Sequence, residues 1–270
     1  MTVRLNNGVE MPILGLGVYL SKEGNEVVQA VKWALNMGYR HIDTAAIYRN
    51  EKGVGEGIEQ SDVDREDVFL VSKVWNSDQG YDSTLRAFDE SLKKLNTDYL
   101  DLYRVHWPVE GKYKDTWRAL EYLYEQKKIK AIGVSNFLKH HLEDLLAEAK
   151  ITPMVNQMEF HPYLLQNELR QYCNQKGIQY EAWSPLMQGK IFNIDLLNTL
   201  SKKYDKTIAQ LVLRWNIQHG VVTIPKTVHM HRLKENFNVF DFSITDEDMM
   251  LIDGLDRFER VGPDPDNFDF

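Results

Sequence analysis

Apolar segments of strand length alternate with amphipathic, helix-spaced segments eight times along this chain, and no other feature narrows its fold so far. Strands are predicted at Ile13–Val18, Arg40–Thr44, Val68–Lys73, Leu100–His106, Ile129–Ser135, Met154–Glu159, Ile178–Ser184 and Val221–Pro225. Helices are predicted after them at Asn25–Met37, Glu51–Glu59, Tyr81–Leu95, Asp115–Gln126, Lys139–Ala149, Gln166–Lys176, Asp195–Tyr204 with Ile208–His219, and near His231–Phe237. The strands are too apolar to leave one face in water, which implies a parallel sheet covered by helices. Eight such units in about 250 residues match a closed (β/α)₈ TIM barrel.

The ends add trimmings to that barrel. An Asn-Gly turn at Asn7-Gly8 between two short alternating segments reads as an N-terminal β-hairpin. Ile244–Leu255 reads as a C-terminal capping helix started by Thr245, followed by a short polar tail, Arg260–Phe270. No Pro/Gly/Ser-rich linker divides residues 1–270, so one barrel domain is expected. The competing fold, an open doubly wound sheet, is weakened because Gly53-Val54-Gly55-Glu56-Gly57 falls in a helical stretch and not in a strand-to-helix turn.

Composition excludes several partners. A formal charge of −8 argues against nucleic acid and anionic membranes, so any anionic ligand needs a local basic cluster. No apolar run approaches the roughly 20 residues that span a bilayer, and no secretory signal is evident, so a cytoplasmic protein is expected. The single cysteine, Cys173, fits a reducing compartment and reads as a buried helix residue. No long exposed apolar stripe demands a partner, and a monomer is expected.

In a barrel of this kind chemistry sits at the C-terminal strand ends. Asp43 ends the second strand, Tyr48 lies in its loop, Lys73 ends the third and His106 the fourth, so four capable side chains meet on one rim. A tyrosine titrates near 10, and a neighbouring ammonium such as Lys73 is expected to pull that value down while Asp43 keeps the ammonium charged. His106 can orient a substrate oxygen by a hydrogen bond. The set describes a general acid with its tuning groups. It lacks a nucleophile elbow. No metal site is expected, since His140-His141 and His229-Met230-His231 lie on helical segments without carboxylates at ligand spacing.

Asp43-Thr44-Ala45-Ala46-Ile47-Tyr48, Ser72-Lys73-Val74-Trp75, His106-Trp107-Pro108, Gly133-Val134-Ser135-Asn136-Phe137 and Ile224-Pro225-Lys226-Thr227 resemble the aldo-keto reductase family in order and spacing, over nearly the whole chain. The short loops look most like its bacterial branch of glyoxal, methylglyoxal and 2,5-diketo-D-gluconate reductases. The resemblance implies NADPH-dependent reduction of small aldehydes and ketones, with Tyr48 as proton donor, Lys73 and Asp43 as its tuning pair, and His106 orienting the substrate. It implies NADPH lying across the barrel mouth with its nicotinamide on Trp183 and its carboxamide held by Ser135, Asn136 and Gln157. Ser184, Leu186, Gln188 and Gly189 would line the pyrophosphate. Lys226, Thr227 and Arg232 would grip the 2′-phosphate, with Glu235 and Asn236 near the adenine. Tyr19, Trp75 and Trp107 would wall the pocket for a small carbonyl substrate.

One position departs from the family pattern. Arg104 stands where an aliphatic residue is usual, and period two puts it on the face of His106, one layer deeper. A buried guanidinium is expensive unless paired, and Glu181 is the expected partner. Two other readings remain beside the reductase: an NADPH-binding regulatory protein on the same barrel, and a sugar-phosphate isomerase, for which a glycine-rich phosphate loop after strand seven or eight is missing.

Overall fold

The computed structural model describes residues 1–270. It opens with an antiparallel hairpin, β1 (Thr2–Arg4) and β2 (Glu10–Pro12). Eight parallel strands follow in one sheet, each beside its neighbour in sequence: β3 (Leu16–Gly17), β4 (His41–Asp43), β5 (Phe69–Val74), β6 (Leu100–Val105), β7 (Ile129–Ser135), β8 (Val155–Glu159), β9 (Gln179–Trp183) and β10 (Val222–Thr223). The sheet closes on itself through parallel bridges from Leu14 to Thr223 and from Gly17 to Lys226. The Gly15 N–H donates to the Thr223 carbonyl, and the Thr223 N–H to that of Ile13, both at 2.9 Å. Closure leaves no sheet edge unpaired. The two strands at this seam are shorter than the predicted Ile13–Val18 and Val221–Pro225, because there the chains meet through isolated bridges and not a full ladder.

The helices are α1 (Asn25–Met37), α2 (Glu51–Glu59), α3 (Tyr81–Leu95), α4 (Tyr113–Glu125), α5 (Lys139–Leu146), α6 (Asn167–Gln175), α7 (Asp195–Lys203), α8 (Ile208–Gln218), α9 (Met230–Phe237) and α10 (Asp246–Asp253). The Gly53–Gly57 run lies inside α2, where it permits close packing: a Cβ at Gly57 would stand 2.8 Å from Val31 Cβ of α1. Thr245 caps α10 as expected, its hydroxyl accepting from the Asp248 N–H at 3.3 Å. Cys173 is buried on α6, and burial pushes its thiol up to about 12, which makes it inert. No helix is long and apolar enough to cross a membrane.

Strand β6 shows how the pattern places the chemistry. Tyr103 faces the helices, its ring edge-on to Phe88 of α3 at 5.2 Å. Asp101 faces the same way and pairs with Arg65 and Lys130, each at 2.9 Å. Leu102 and Arg104 alternate with them and point into the barrel. A one-residue slip would bury Asp101 inside the barrel and expel Arg104, so the register is strongly fixed. The hairpin covers the opposite end, where Asn6 donates to the Pro153 carbonyl at 3.1 Å and Asn7 to that of Lys130 at 2.9 Å, just before β8 and at the start of β7. The open mouth is therefore the C-terminal one.

Candidate active site

Asp43, Tyr48, Lys73 and His106 meet at this mouth. Strands β4 and β5 present Asp43 and Lys73 inward, and Lys73 Nζ donates to Asp43 Oδ1 at 2.6 Å and to the Thr44 carbonyl at 2.8 Å, with both side chains buried. Tyr48 ends a 3₁₀ turn, Ala46–Tyr48, and its half-buried ring sits 5.1 Å above that ammonium. The imidazole of His106 lies edge-on to Tyr48 at 5.8 Å and to Trp75 at 5.1 Å, while Tyr19 packs on the far side of Tyr48 at 5.1 Å. Asn50, which sequence reasoning missed, holds this loop: it accepts from the Thr44 hydroxyl at 2.8 Å and donates to the Val18 and Ser21 carbonyls at 2.9 and 3.0 Å.

The protonation states follow from these surroundings. Burial, and then Lys73 and Arg104, drive His106 well below its ordinary value, so the ring is neutral at pH 7. Burial alone would raise Asp43, but Lys73 and Arg104 more than offset it, and the carboxyl sits below its usual range. Burial lowers Lys73 to about 8, with Asp43 opposing and Arg104 reinforcing the fall. Tyr48 moves opposite to the sequence expectation: burial raises it, Asp43 adds to the rise, and Arg104 works against them. The Lys73 ammonium is already committed to Asp43 and the Thr44 carbonyl, which blunts its pull on the phenol.

Below the rim lies the predicted Arg104–Glu181 pair, and it extends further than expected. Arg104 is fully buried, with one terminal nitrogen on Glu181 and the other on Asp43 Oδ2. Gln157 donates to the same two carboxylates, at 3.1 Å to Glu181 and 3.3 Å to Asp43. His41 lies 3.5 Å from Glu181 and is held neutral, burial lowering it to about 4.

The residues expected around a cofactor fall in three places. Ser135 ends β7 with its hydroxyl buried and without a partner in the protein. Asn136 follows in left-handed backbone, φ 66°, donating to the His106 carbonyl at 3.0 Å and accepting from the Trp183 indole N–H at 2.8 Å. The loop after β9 is the second place: Ser184, Met187, Gln188 and Gly189 all have positive φ, a cluster of costly backbone that marks functional loops. Leu186 lies among them, half-buried. The third is the segment before and within α9, where Lys226 and Arg232 are exposed and Thr227 and Asn236 are buried. Neither Lys226 nor Arg232 forms an ion pair, whereas the Glu235 carboxylate accepts from the Thr207 hydroxyl at 2.7 Å.

The short polar tail expected from the sequence is tied down onto the barrel mouth. Glu159, fully buried at the end of β8, accepts from the Val261 and Gly262 N–H groups and hydrogen-bonds His161 at 2.8 Å. Phe270 then stacks on Trp75 at 5.7 Å and meets Trp107 edge-on at 5.2 Å, and Asn76 donates to its carbonyl at 3.0 Å. The only sequence signal was a pair of phenylalanines, Phe268 and Phe270, in an otherwise polar stretch. The tail also corrects the reading of His140-His141 as lacking a nearby carboxylate, since Asp266 arrives 3.0 Å from His140 and 3.5 Å from His141. His141 Nδ1 accepts from the Leu138 N–H at 3.2 Å, so its Nε2 carries the proton and faces Asp266 at 3.5 Å.

With this geometry in hand, the chain was compared with known proteins. The family model described as "Aldo/keto reductase family" matches residues 14–257. The chain belongs to the aldo/keto reductase family. Two relatives from Bacillus subtilis lie close to this reductase. An uncharacterized oxidoreductase, YtbE, is 61% identical over 98% of this chain and 96% of its own length. A glyoxal reductase is 60% identical over 100% of this chain and 98% of its own. Among solved structures, a Gox0644 mutant in complex with NADPH superimposes with a TM-score of 0.96 at 41% identity, covering 100% of this chain and 99% of that one.

Proposed function

We propose that this aldo/keto reductase reduces small aldehydes and ketones, glyoxal and methylglyoxal among them, to alcohols at the expense of NADPH, with Tyr48 as the proton donor. The observation that carries the reading is the Tyr48 ring seated over the buried Lys73–Asp43 pair with a neutral His106 beside it. The name of the glyoxal reductase relative supports the substrate class, and the NADPH complex supports the cofactor.

The residues present fit NADPH. Ser135 offers a buried hydroxyl without a partner, beside Asn136 and the half-buried face of Trp183. Lys226 and Arg232 are exposed, unpaired cations on the segment that also carries Thr227, and together they would supply the local basic cluster that a chain of charge −8 needs for a phosphate. Ser135, Asn136 and Gln157 would hold the carboxamide and Trp183 the nicotinamide ring. Ser184, Leu186, Gln188 and Gly189 would line the pyrophosphate, with Glu235 and Asn236 at the adenine. When bound, NADPH supplies the hydride that goes to the carbonyl carbon.

The proton is the protein's part. A neutral His106 has no imidazolium proton to give, but its N–H can hold the carbonyl oxygen in place. Tyr48 then donates its phenolic proton to that oxygen, because an alkoxide is a far stronger base than a phenolate. The phenolate left behind lies over Lys73, whose charge Asp43 helps retain. Tyr19, Trp75 and Trp107 wall the pocket and exclude water. The same reading takes residues 1–270 as one domain acting as a cytoplasmic monomer.

The test is loss of NADPH absorbance with methylglyoxal, run beside NADH and a Tyr48→Phe variant. We expect turnover that prefers NADPH and falls by about 10²-fold or more in the variant, with NADPH affinity unchanged. A variant that turns over like the parent would remove Tyr48 from the role of acid.

A further inference from the structure

The buried pair beneath Tyr48 is one section of a longer chain of charges. Lys73 holds Asp43 Oδ1, Arg104 holds Oδ2, and Arg104's other arm holds Glu181. Two cations and two carboxylates sum to zero, and the neutral His41 at the end adds nothing. The chain is thus closed electrostatically, which is the condition for burying such groups. The barrel makes room for it at Gly133, where a Cβ would stand 3.3 Å from Arg104 Cγ and 2.7 Å from the Val155 carbonyl oxygen.

An Asp43 with one partner could rotate about its last bond and carry Lys73 with it. Held by cations on opposite oxygens, and touched by Gln157 on the second, its carboxylate plane has one orientation. The division has an electrostatic result as well. Asp43 opposes ionisation of the phenol above it, and Arg104, on the carboxylate's second oxygen, offsets part of that opposition. We propose that Arg104 is a positioning residue of the reaction: by sharing Asp43 with Lys73 it fixes the ammonium under Tyr48 and offsets part of the carboxylate's negative charge beneath the phenol. This rests on the reading of Tyr48 as the acid.

The charged and titratable groups around Lys73 are few. Strand β4 supplies Asp43, α2 supplies Glu51, β6 supplies Arg104 and the residue following that strand is His106, with Tyr48 above. Glu51 already accepts from Ser72 at 2.6 Å, and His106 is neutral, so Asp43 and Arg104 decide the balance. Arg104 lowers the affinity of both Lys73 and Tyr48 for a proton, so its removal shifts both upward.

The decisive variant is Arg104→Met with Glu181→Gln, which removes one charge of each sign and keeps an acceptor for Gln157. Titration of Lys73, followed by NMR of its ε-carbon and assigned with Lys73→Met, needs no turnover. We expect its midpoint to rise from about 8 by about a unit, a tenfold change in proton affinity. The alkaline limb of the kcat profile should move up with it, and kcat at pH 7 should fall by about tenfold. Arg104→Lys keeps the charge without the two-armed geometry, so it should leave the midpoint in place and still lower kcat. An unchanged midpoint and pH profile in the double variant would overturn the proposal, whatever its melting temperature. If the double variant does not fold, Arg104→Lys decides alone, and parental kcat in it overturns the proposal. A shifted midpoint in a protein whose parent shows no carbonyl turnover would leave Arg104's hold on Lys73 standing and sink the reading of Tyr48.

Discussion

Gly262 lies in the tail against the outer edge of the Trp183 ring, and replacing it with alanine puts a single methyl group between them. That Cβ would press on Cη2 of the indole and stand 2.8 Å from Cζ3. Carbon atoms in good contact are about 3.5–4.0 Å apart, so one side must yield by about 1 Å. The tail has little freedom to do so, because the buried Glu159 carboxylate accepts from the Val261 and Gly262 N–H groups. The ring therefore moves, and its N–H bond to Asn136 at 2.8 Å is strained or lost. A net hydrogen bond is worth about 0.5–1.5 kcal/mol, and displaced stacking adds to that loss. We expect NADPH to bind Gly262→Ala about tenfold more weakly, which is roughly 1.4 kcal/mol, measured by calorimetric titration. Gly254→Ala is the control, since its Cβ would meet only the Leu251 and Met250 carbonyls at 3.4 Å. Parental affinity in Gly262→Ala would refute the placement of the nicotinamide on Trp183 as braced by this tail.

Two further outcomes follow from the same structure. His41 is fully buried, and its folded value of about 4 lies below the ordinary 6.5. Between those values the unfolded chain binds a proton that the folded one refuses, so stability is lost as pH falls through that window, by roughly 3 kcal/mol at pH 4 from this group; urea melts should show it, and a His41→Gln variant should lose that share of the slope while the likewise lowered His106 and His141 keep theirs. Glu159→Gln removes the charged acceptor of the tail, and limited trypsin digestion should then cut at Arg257 and Arg260 faster than in the parent. Equal cutting rates would mean that the aromatic contacts of Phe268 and Phe270 alone hold the tail.

The barrel was legible because its eight strands carry their own periodicity, and Asp43 and Lys73 could be set on one inner face by counting residues in β4 and β5. The Arg104–Glu181 pair was legible for the same reason, from an ion placed where only pairing could support it. Arg104's second arm on Asp43 was not, since register across β4 and β6 depends on strand stagger that one sequence does not display. The tail escaped for a different reason. Its path is set by Glu159, Asn76 and the tryptophan walls, contacts more than 100 residues away that leave no local period. The direction of the Tyr48 shift was missed because it is set first by burial of the phenol and then by Asp43 beneath it, and the depth of burial of a loop residue is not displayed by its local sequence.

The contact between Asn76 and the terminal carbonyl of Phe270 carries a practical consequence. Phe270 lies against Trp75, inside the wall of the mouth. An affinity tag or fusion partner joined there must either thread out past Trp107 or pull Phe270 from its stack, and in both cases it alters the pocket. Met1 is exposed, on the hairpin that covers the other end of the barrel, next to nothing that handles substrate.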